Sequence, residues 1–318
     1  MIGPECFLLL LLLFLPSTSP FNVAYTPLTL PVKTTQIPLA IWTPTFSTPS
    51  SHPTSTYPYS ISIPRIVKLL IGLPLPNFSF MLKQFEIPSS SLFNAPIAHE
   101  KPRPLVIVSH GYLGSRFDLT SYCEGLASKG IIAVAPEFPE SLSASYEIGD
   151  VRREEIVTKT IEEFKGKYNI GGIGFLGHSL GTGLTLNYGM EEECPRCAIA
   201  GFRGLTDASK NDNILIIASD NDAVCPGSYI RPRFTEASLE SPKIKSLFST
   251  RWNHISYLNE KTNECMVDFL KPLLPIARGL KVPLLDFDIY EEVMDGGECG
   301  EETVPVVVDF FRNCFKYE

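Results

Sequence analysis

The sequence has no apolar run long enough to cross a membrane, no excess of base over acid, and few cysteines for its length. Its longest unbroken apolar run, Phe7 to Leu15, is nine residues, against about 20 for a membrane span. Lys and Arg number 27 and Asp and Glu 35, a net charge of −8. Residues 284–318 hold ten of the acids against Arg312 and Lys316 alone, so this tail carries the whole excess and the rest of the chain is neutral. That distribution excludes a nucleic-acid binder, which needs a basic surface. Eight cysteines in 318 residues are too few for a disulfide-dense scaffold. Charged residues make up only 19%, while hydrophobic residues reach 44%, enough to build a sizeable core and too many for a disordered chain. No internal repeat is visible.

Phe7 to Leu15, ended by Pro16 and a Ser/Thr-rich stretch, reads as the core of a signal peptide over residues 1–20, although no Lys or Arg precedes it and no A-x-A site follows. A secreted protein is expected, with an uncleaved anchor or a cytosolic N-terminus as the alternatives. Asn77-Phe78-Ser79 is a glycosylation acceptor if the chain is exported. Cys194-Pro-Arg-Cys197 has the spacing of a redox or zinc motif. No second pair stands at zinc-ribbon spacing, and Cys197 opens an apolar run, so the pair is expected to be structural. No metal or cofactor site is expected elsewhere.

Residues 21–318 are expected to form a single α/β domain with a Ser/Thr/Pro-rich N-terminal extension and an acidic C-terminal tail. Within residues 16–63 only Gln36 to Trp42 suggests a strand, at a sheet edge. Beyond residue 100, strands expected at Pro104–Ser109, Ile131–Ala135, Gly172–Gly177, Cys197–Phe202, Asn213–Ser219 and Leu247–Thr250 alternate with helical patterns at Phe117–Lys129, Asp150–Tyr168 and Leu180–Met190. Such alternation implies βαβ units and a mainly parallel central sheet flanked by helices.

Gly177-His178-Ser179-Leu180-Gly181 matches G-x-S-x-G. An apolar strand precedes it and a helical stretch follows, the setting of the strained turn that presents a nucleophilic serine in the α/β-hydrolase fold. Ser179 is the expected nucleophile. In that fold the triad runs serine, acid, histidine, and of the five histidines only His254 follows Ser179. It lies in Trp252-Asn253-His254-Ile255, just past a strand, and is the expected base. Asp222, three residues beyond the strand ending at Ser219, is the preferred acid, with Asp207 and then Asp220 as alternatives. The oxyanion is expected on two backbone N–H groups. Leu180 supplies the first and Tyr112, in Ser109-His110-Gly111-Tyr112-Leu113-Gly114, the second. His110 reads as a residue that orients this turn.

Several stretches carry a family resemblance. Asn94-Ala95-Pro96, Arg103 to Gly111, Cys123 to Gly130, Glu137 to Ser141, Ser143-Ala144-Ser145, Tyr146 and Gly177-His178-Ser179 resemble the plasma-type platelet-activating-factor acetylhydrolases, most closely over residues 90–190. The resemblance implies a calcium-independent serine esterase of the α/β-hydrolase fold, acting on short or oxidised sn-2 acyl groups of phospholipids. The chain departs from the family at the acid: at the end of the strand after the nucleophile helix it reads Ala200-Gly201-Phe202. Two other activities compatible with these residues are a short-chain carboxylesterase of different specificity and a non-catalytic hydrolase-fold binding protein. Pro64 to Leu73 (64–73) reads as a short interfacial helix, its apolar residues in the lipid surface and Arg65 and Lys68 near head groups. A buried connector under the rim of the site is the alternative.

Overall fold

A computed structural model describes residues 21–318 apart from 77, 99, 100, 144–150, 191, 203, 206–211, 242, 274, 276–278, 280–295 and 317–318. The signal-peptide region, Asn77 of the glycosylation acceptor, Asp207 and much of the acidic stretch lie outside the described residues.

Ten strands form one sheet: β1 (Asn22–Val32), β2 (Thr35–Thr45), β3 (Thr54–Ser62), β4 (Leu82–Phe93), β5 (Arg103–Ser109), β6 (Ile132–Pro136), β7 (Ile170–His178), β8 (Arg196–Ile199), β9 (Ile214–Ser219) and β10 (Ile244–Ser249). Their order is β10-β9-β8-β7-β5-β6-β2-β1-β4-β3. The six strands from β5 to β10 are mutually parallel. On the other side of β6 the pairing turns antiparallel, β6 with β2 and β2 with β1. Apolar residues alternate between the faces as the strand period requires. In β9, Leu215 and Ile217 join the largest core cluster, whereas Ile214 and Ile216 face another.

Seven α-helices are described: α1 (Ile63–Ile71), α2 (Thr120–Ser128), α3 (Arg153–Lys167), α4 (Gly181–Asn187), α5 (Gly227–Glu240), α6 (Glu260–Leu270) and α7 (Gly296–Phe315). Helices α2 and α7 cover one sheet face through Tyr122, Leu126, Val307 and Phe311. The other face is covered by α3, through Ile156, Val157, Ile161 and Phe164. The architecture is the mainly parallel sheet flanked by helices expected from the strand–helix alternation, in the α/β-hydrolase arrangement expected from the Gly177 to Gly181 turn.

Three expectations are corrected. Residues 22–62 are not an extension but three strands of the sheet, because Tyr25, Trp42, Tyr57 and Tyr59 bury their rings together in the main core. Gln36 to Trp42 is not at an edge: β2 lies between β6 and β1. The acidic tail contains α7, whose Cys299, Thr303, Val307, Val308, Phe310 and Phe311 are buried while Glu298, Glu301, Glu302 and Asp309 are not. The acids occupy the outer face of a core helix.

Candidate active site

Ser179 sits between β7 and α4 with φ +52°, a left-handed conformation that costs a non-glycine residue roughly 1–3 kcal/mol. Its N–H donates to the Ile199 carbonyl on β8 at 2.9 Å, which holds the turn on the sheet. The flanking glycines are required by contact. A Cβ on Gly177 would meet the Gly181 carbonyl oxygen at 2.6 Å, and one on Gly181 would overlap the Ser109 carbonyl and lie 2.8 Å from that of His110. The close approach of this turn to the end of β5 depends on those missing atoms.

His254 comes from the loop after β10. Asn253 organises that loop, its Oδ1 accepting the N–H groups of Ile255 at 3.1 Å and Ser256 at 3.0 Å. Trp252 ties it to α7 by donating its indole N–H to Glu302 at 3.1 Å. His254 Nε2 lies 2.9 Å from Ser179 Oγ, and its Nδ1 lies 2.9 and 3.1 Å from the two oxygens of Asp222. Asp222 is fully buried, and its Oδ1 also accepts the N–H groups of Val224 at 2.9 Å and Cys225 at 2.8 Å. Burial pushes its pKa up, but the hydrogen bond and charge of His254, with the two N–H donors, outweigh that and hold it below the ordinary carboxylate value. With Nδ1–H directed at a carboxylate, Nε2 presents its lone pair to Ser179.

The structure therefore brings Ser179, His254 and Asp222 into one hydrogen-bonded line. It leaves Asp220 outside, exposed and paired with Arg231 at 2.7 Å. Asp212, another carboxylate between serine and histidine, is committed to the buried Arg196 at 2.5 Å.

Tyr112 and Leu180 border the same cleft as Ser179, and neither backbone N–H donates to a protein acceptor among the described residues. The Tyr112 loop is held by His110, whose Nε2 accepts the Phe138 N–H at 2.9 Å while Nδ1–H donates to the Gly111 carbonyl at 2.8 Å. Burial, and then the nearby Arg153, pushes the His110 pKa far down, so it is the neutral tautomer these bonds require. Arg153 donates to the His110 carbonyl at 2.9 Å and to Glu140 at 2.8 Å. Tyr112 also reaches α1, its hydroxyl donating to the Leu69 carbonyl at 2.6 Å.

Two contributors carried no signal of their own in the sequence. Arg153 opens a charged helix 43 residues from His110, and only the fold joins them. His178, visible simply as the neighbour of the serine, is buried and donates from Nε2 to the His254 carbonyl at 2.9 Å, linking the Ser179 turn to the His254 loop. The Cys194–Cys197 pair is not bridged, and both thiols are buried. Among the described residues no group of three His, Cys, Asp or Glu is placed to hold a metal ion.

Helix α1 is partly buried. Ile66 belongs to the main core, Leu70 packs against it, and Ile66 also lines the Ser179 cleft. Arg65 is not at the surface with Lys68 as the pattern suggested; it is buried and donates to the carbonyls of Ser141 at 2.6 Å and Pro139 at 3.1 Å. The exposed apolar side chains lie further along, at Ile71, Leu73, Leu75, Phe78, Phe80 and Leu82.

Residues 57–161, from β3 through most of α3, match the family described as platelet-activating factor acetylhydrolase, isoform II, in agreement with the resemblance seen in the sequence. No functionally curated protein matches. Among solved structures, a ferulic acid esterase from Streptomyces cinnamoneus aligns over 96% of this chain and 93% of its own, at 14% identity and a TM-score of 0.57. An esterase from Pyrococcus furiosus aligns over 81% of this chain and 93% of its own, at 13% identity and a TM-score of 0.44. The first of these likenesses shows the shared α/β-hydrolase fold.

Proposed function

We propose that the protein is a serine carboxylic ester hydrolase working through an acyl-enzyme. The observation that carries this reading is the Asp222–His254–Ser179 line ending beside two unused backbone N–H groups. Ser179 Oγ attacks the ester carbonyl carbon as His254 Nε2 takes its proton, and Asp222 steadies the imidazolium through Nδ1–H. The carbonyl oxygen, now negative, accepts from the N–H groups of Tyr112 and Leu180. Collapse of the tetrahedral adduct breaks the ester C–O bond, and His254 returns the proton to the leaving alkoxide. Water, deprotonated by the same histidine, then releases the acid and restores Ser179. A protein that only bound ligands would have no use for the base and its orienting acid.

The substrate class we propose, which the family match over residues 57–161 supports, is a short acyl group at the sn-2 position of a phospholipid, hydrolysed without calcium. The exposed apolar residues from Ile71 to Leu82, beside Lys68 and Lys83, support contact with a lipid surface, and export, which the apolar run Phe7 to Leu15 suggests, would give access to it. The experiment compares hydrolysis of phosphatidylcholines of graded sn-2 length with that of a soluble nitrophenyl ester. Activity confined to the soluble ester would favour the second reading, a short-chain carboxylesterase. Phe78→Ser with Phe80→Ser should weaken binding to phosphatidylcholine vesicles several-fold yet leave soluble-ester turnover intact; unchanged vesicle binding would remove the lipid contact from this surface.

A further inference from the structure

Two clefts meet at Ser179, and they differ in size and lining. The wider has a volume of about 440 Å³ and is bordered by Leu180, Phe202, Cys225 and Tyr229. The narrower holds about 100 Å³. At the ~30 Å³ that a water molecule occupies in the liquid, that is room for about three or four non-hydrogen atoms. Its walls are apolar, with Ile66 from α1, Leu142, Ile255, Leu258, and Met266 and Leu270 from α6.

Two polar groups that the hydrolytic steps do not use stand among those walls. Asp118 is 4% exposed and lines the cleft. Its Oδ2 accepts the Ser115 N–H at 2.9 Å, and its backbone carbonyl accepts the Asn259 N–H at 2.6 Å, which fixes it between the oxyanion loop and α6. Gly114 makes room for it, since a Cβ there would lie 2.5 Å from Oδ2. A carboxylate offers about four acceptor positions. Burial, the largest influence on it, lifts the Asp118 pKa to about 7, against the Ser115 N–H and hydroxyl, which lower it.

The second group is the ring of His178. Its Nε2 faces the His254 carbonyl and so carries the hydrogen. Burial, reinforced by His254, lowers its pKa to about 3, so the ring is neutral and Nδ1 is a bare acceptor. No described residue donates to Nδ1, and it points toward Gly111, 3.3 Å from where a Cβ would sit.

An apolar ligand filling this cleft would bury His178 Nδ1 and the acceptor positions of Asp118 that Ser115 does not fill, a cost a hydroxyl-bearing ligand avoids. We propose that the narrow cleft is the acyl subsite and that Asp118 and His178 Nδ1 select a short acyl chain bearing a hydroxyl over an apolar chain of the same size. The wider cleft then takes the larger alcohol portion. This inference rests on the esterase reading.

The test uses the p-nitrophenyl esters of 3-hydroxybutyrate and 3-methylbutyrate, which differ only in hydroxyl against methyl. Measured at about pH 8, above the Asp118 pKa of about 7, the wild-type kcat/KM should favour the hydroxylated ester by about tenfold or more, as a hydrogen bond to a charged acceptor supports. In Asp118→Asn the amide oxygen can keep the Ser115 N–H while an N–H₂ donor replaces an acceptor in the cleft, so the ratio should fall severalfold. The wild-type ratio stands whether or not that variant folds. Equal rates, or faster turnover of the methyl ester, would overturn the proposal and leave the esterase reading intact. No turnover of either ester, with no fluorophosphonate label on Ser179, would overturn both.

Discussion

Replacing Asp222 with Asn tests the site through the identity of one hydrogen. Both backbone donors of the acid loop, Val224 and Cys225, bond the same oxygen, Oδ1. The Asn side chain can keep its carbonyl oxygen there and must then turn its N–H₂ toward His254 Nδ1. A donor at that place, nearer to Nδ1 than the retained Oδ1 at 3.1 Å, favours Nδ1 as an acceptor, which moves the ring hydrogen to Nε2, the atom 2.9 Å from Ser179 Oγ. The base then offers Ser179 a hydrogen in place of a lone pair, and its imidazolium loses the buried counter-charge. Loss of tautomer and counter-charge together costs about 10⁴ in kcat, or about 5.4 kcal/mol at 1.36 kcal/mol per decade. The loop bonds survive, so the melting temperature should move by only a few degrees. Steady-state kcat on a soluble nitrophenyl ester, beside a melting curve, gives both numbers. Asp207→Asn in parallel should leave kcat close to wild type. An Asp222→Asn enzyme within tenfold of wild type, beside a crippled Asp207→Asn enzyme, would refute the assignment and move the acid to Asp207.

Two further outcomes follow from buried charges. Asp212→Ala leaves the fully buried Arg196 guanidinium without its carboxylate and should cost about 3–5 kcal/mol, seen as a fall in melting temperature on the order of 10 °C; an unchanged melting curve would show that the pair contributes nothing. Because the Asp222 pKa is held below its unfolded value, its carboxylate contributes stability that is complete above the unfolded carboxylate pKa of about 3.9 and is lost as pH falls through the folded value. The stability difference between wild type and Asp222→Asn should therefore be flat above about pH 5 and shrink only in stronger acid; a difference that already declines between pH 7 and 5 would contradict the depressed pKa.

The parallel half of the sheet and the site were legible because each signal was local. β5, β7 and β9 are short apolar runs, each followed by the loop that carries a site residue, and a single histidine lay downstream of Ser179. The other half, β1 to β4, with its mixed pairing, was hidden by composition. β1 to β4 contain Pro27, Pro31, Pro38, Pro44, Pro58 and Pro88 among many Ser and Thr, which reads as loop. Their burial comes from Tyr25, Trp42 and Tyr57, whose rings pack together, and from Tyr59 against Phe85, contacts between separate strands that no local run of sequence displays. α7 was obscured in another way: counting charge over the tail concealed that its acids share one helical face opposite Val307 and Phe311. The polar groups lining the narrow cleft were beyond the sequence, since Asp118 and His178 are 60 residues apart and meet only across the packed loops.

The most direct test of the central claim is peptide mass mapping after reaction with a fluorophosphonate probe. The account predicts stoichiometric labelling of the peptide containing Ser179, blocked by prior incubation with a slowly deacylating ester. It also predicts no label in Ser179→Ala protein that melts like the wild type. Label on any other residue, or ester hydrolysis by folded Ser179→Ala at more than about a hundredth of the wild-type rate, would contradict it.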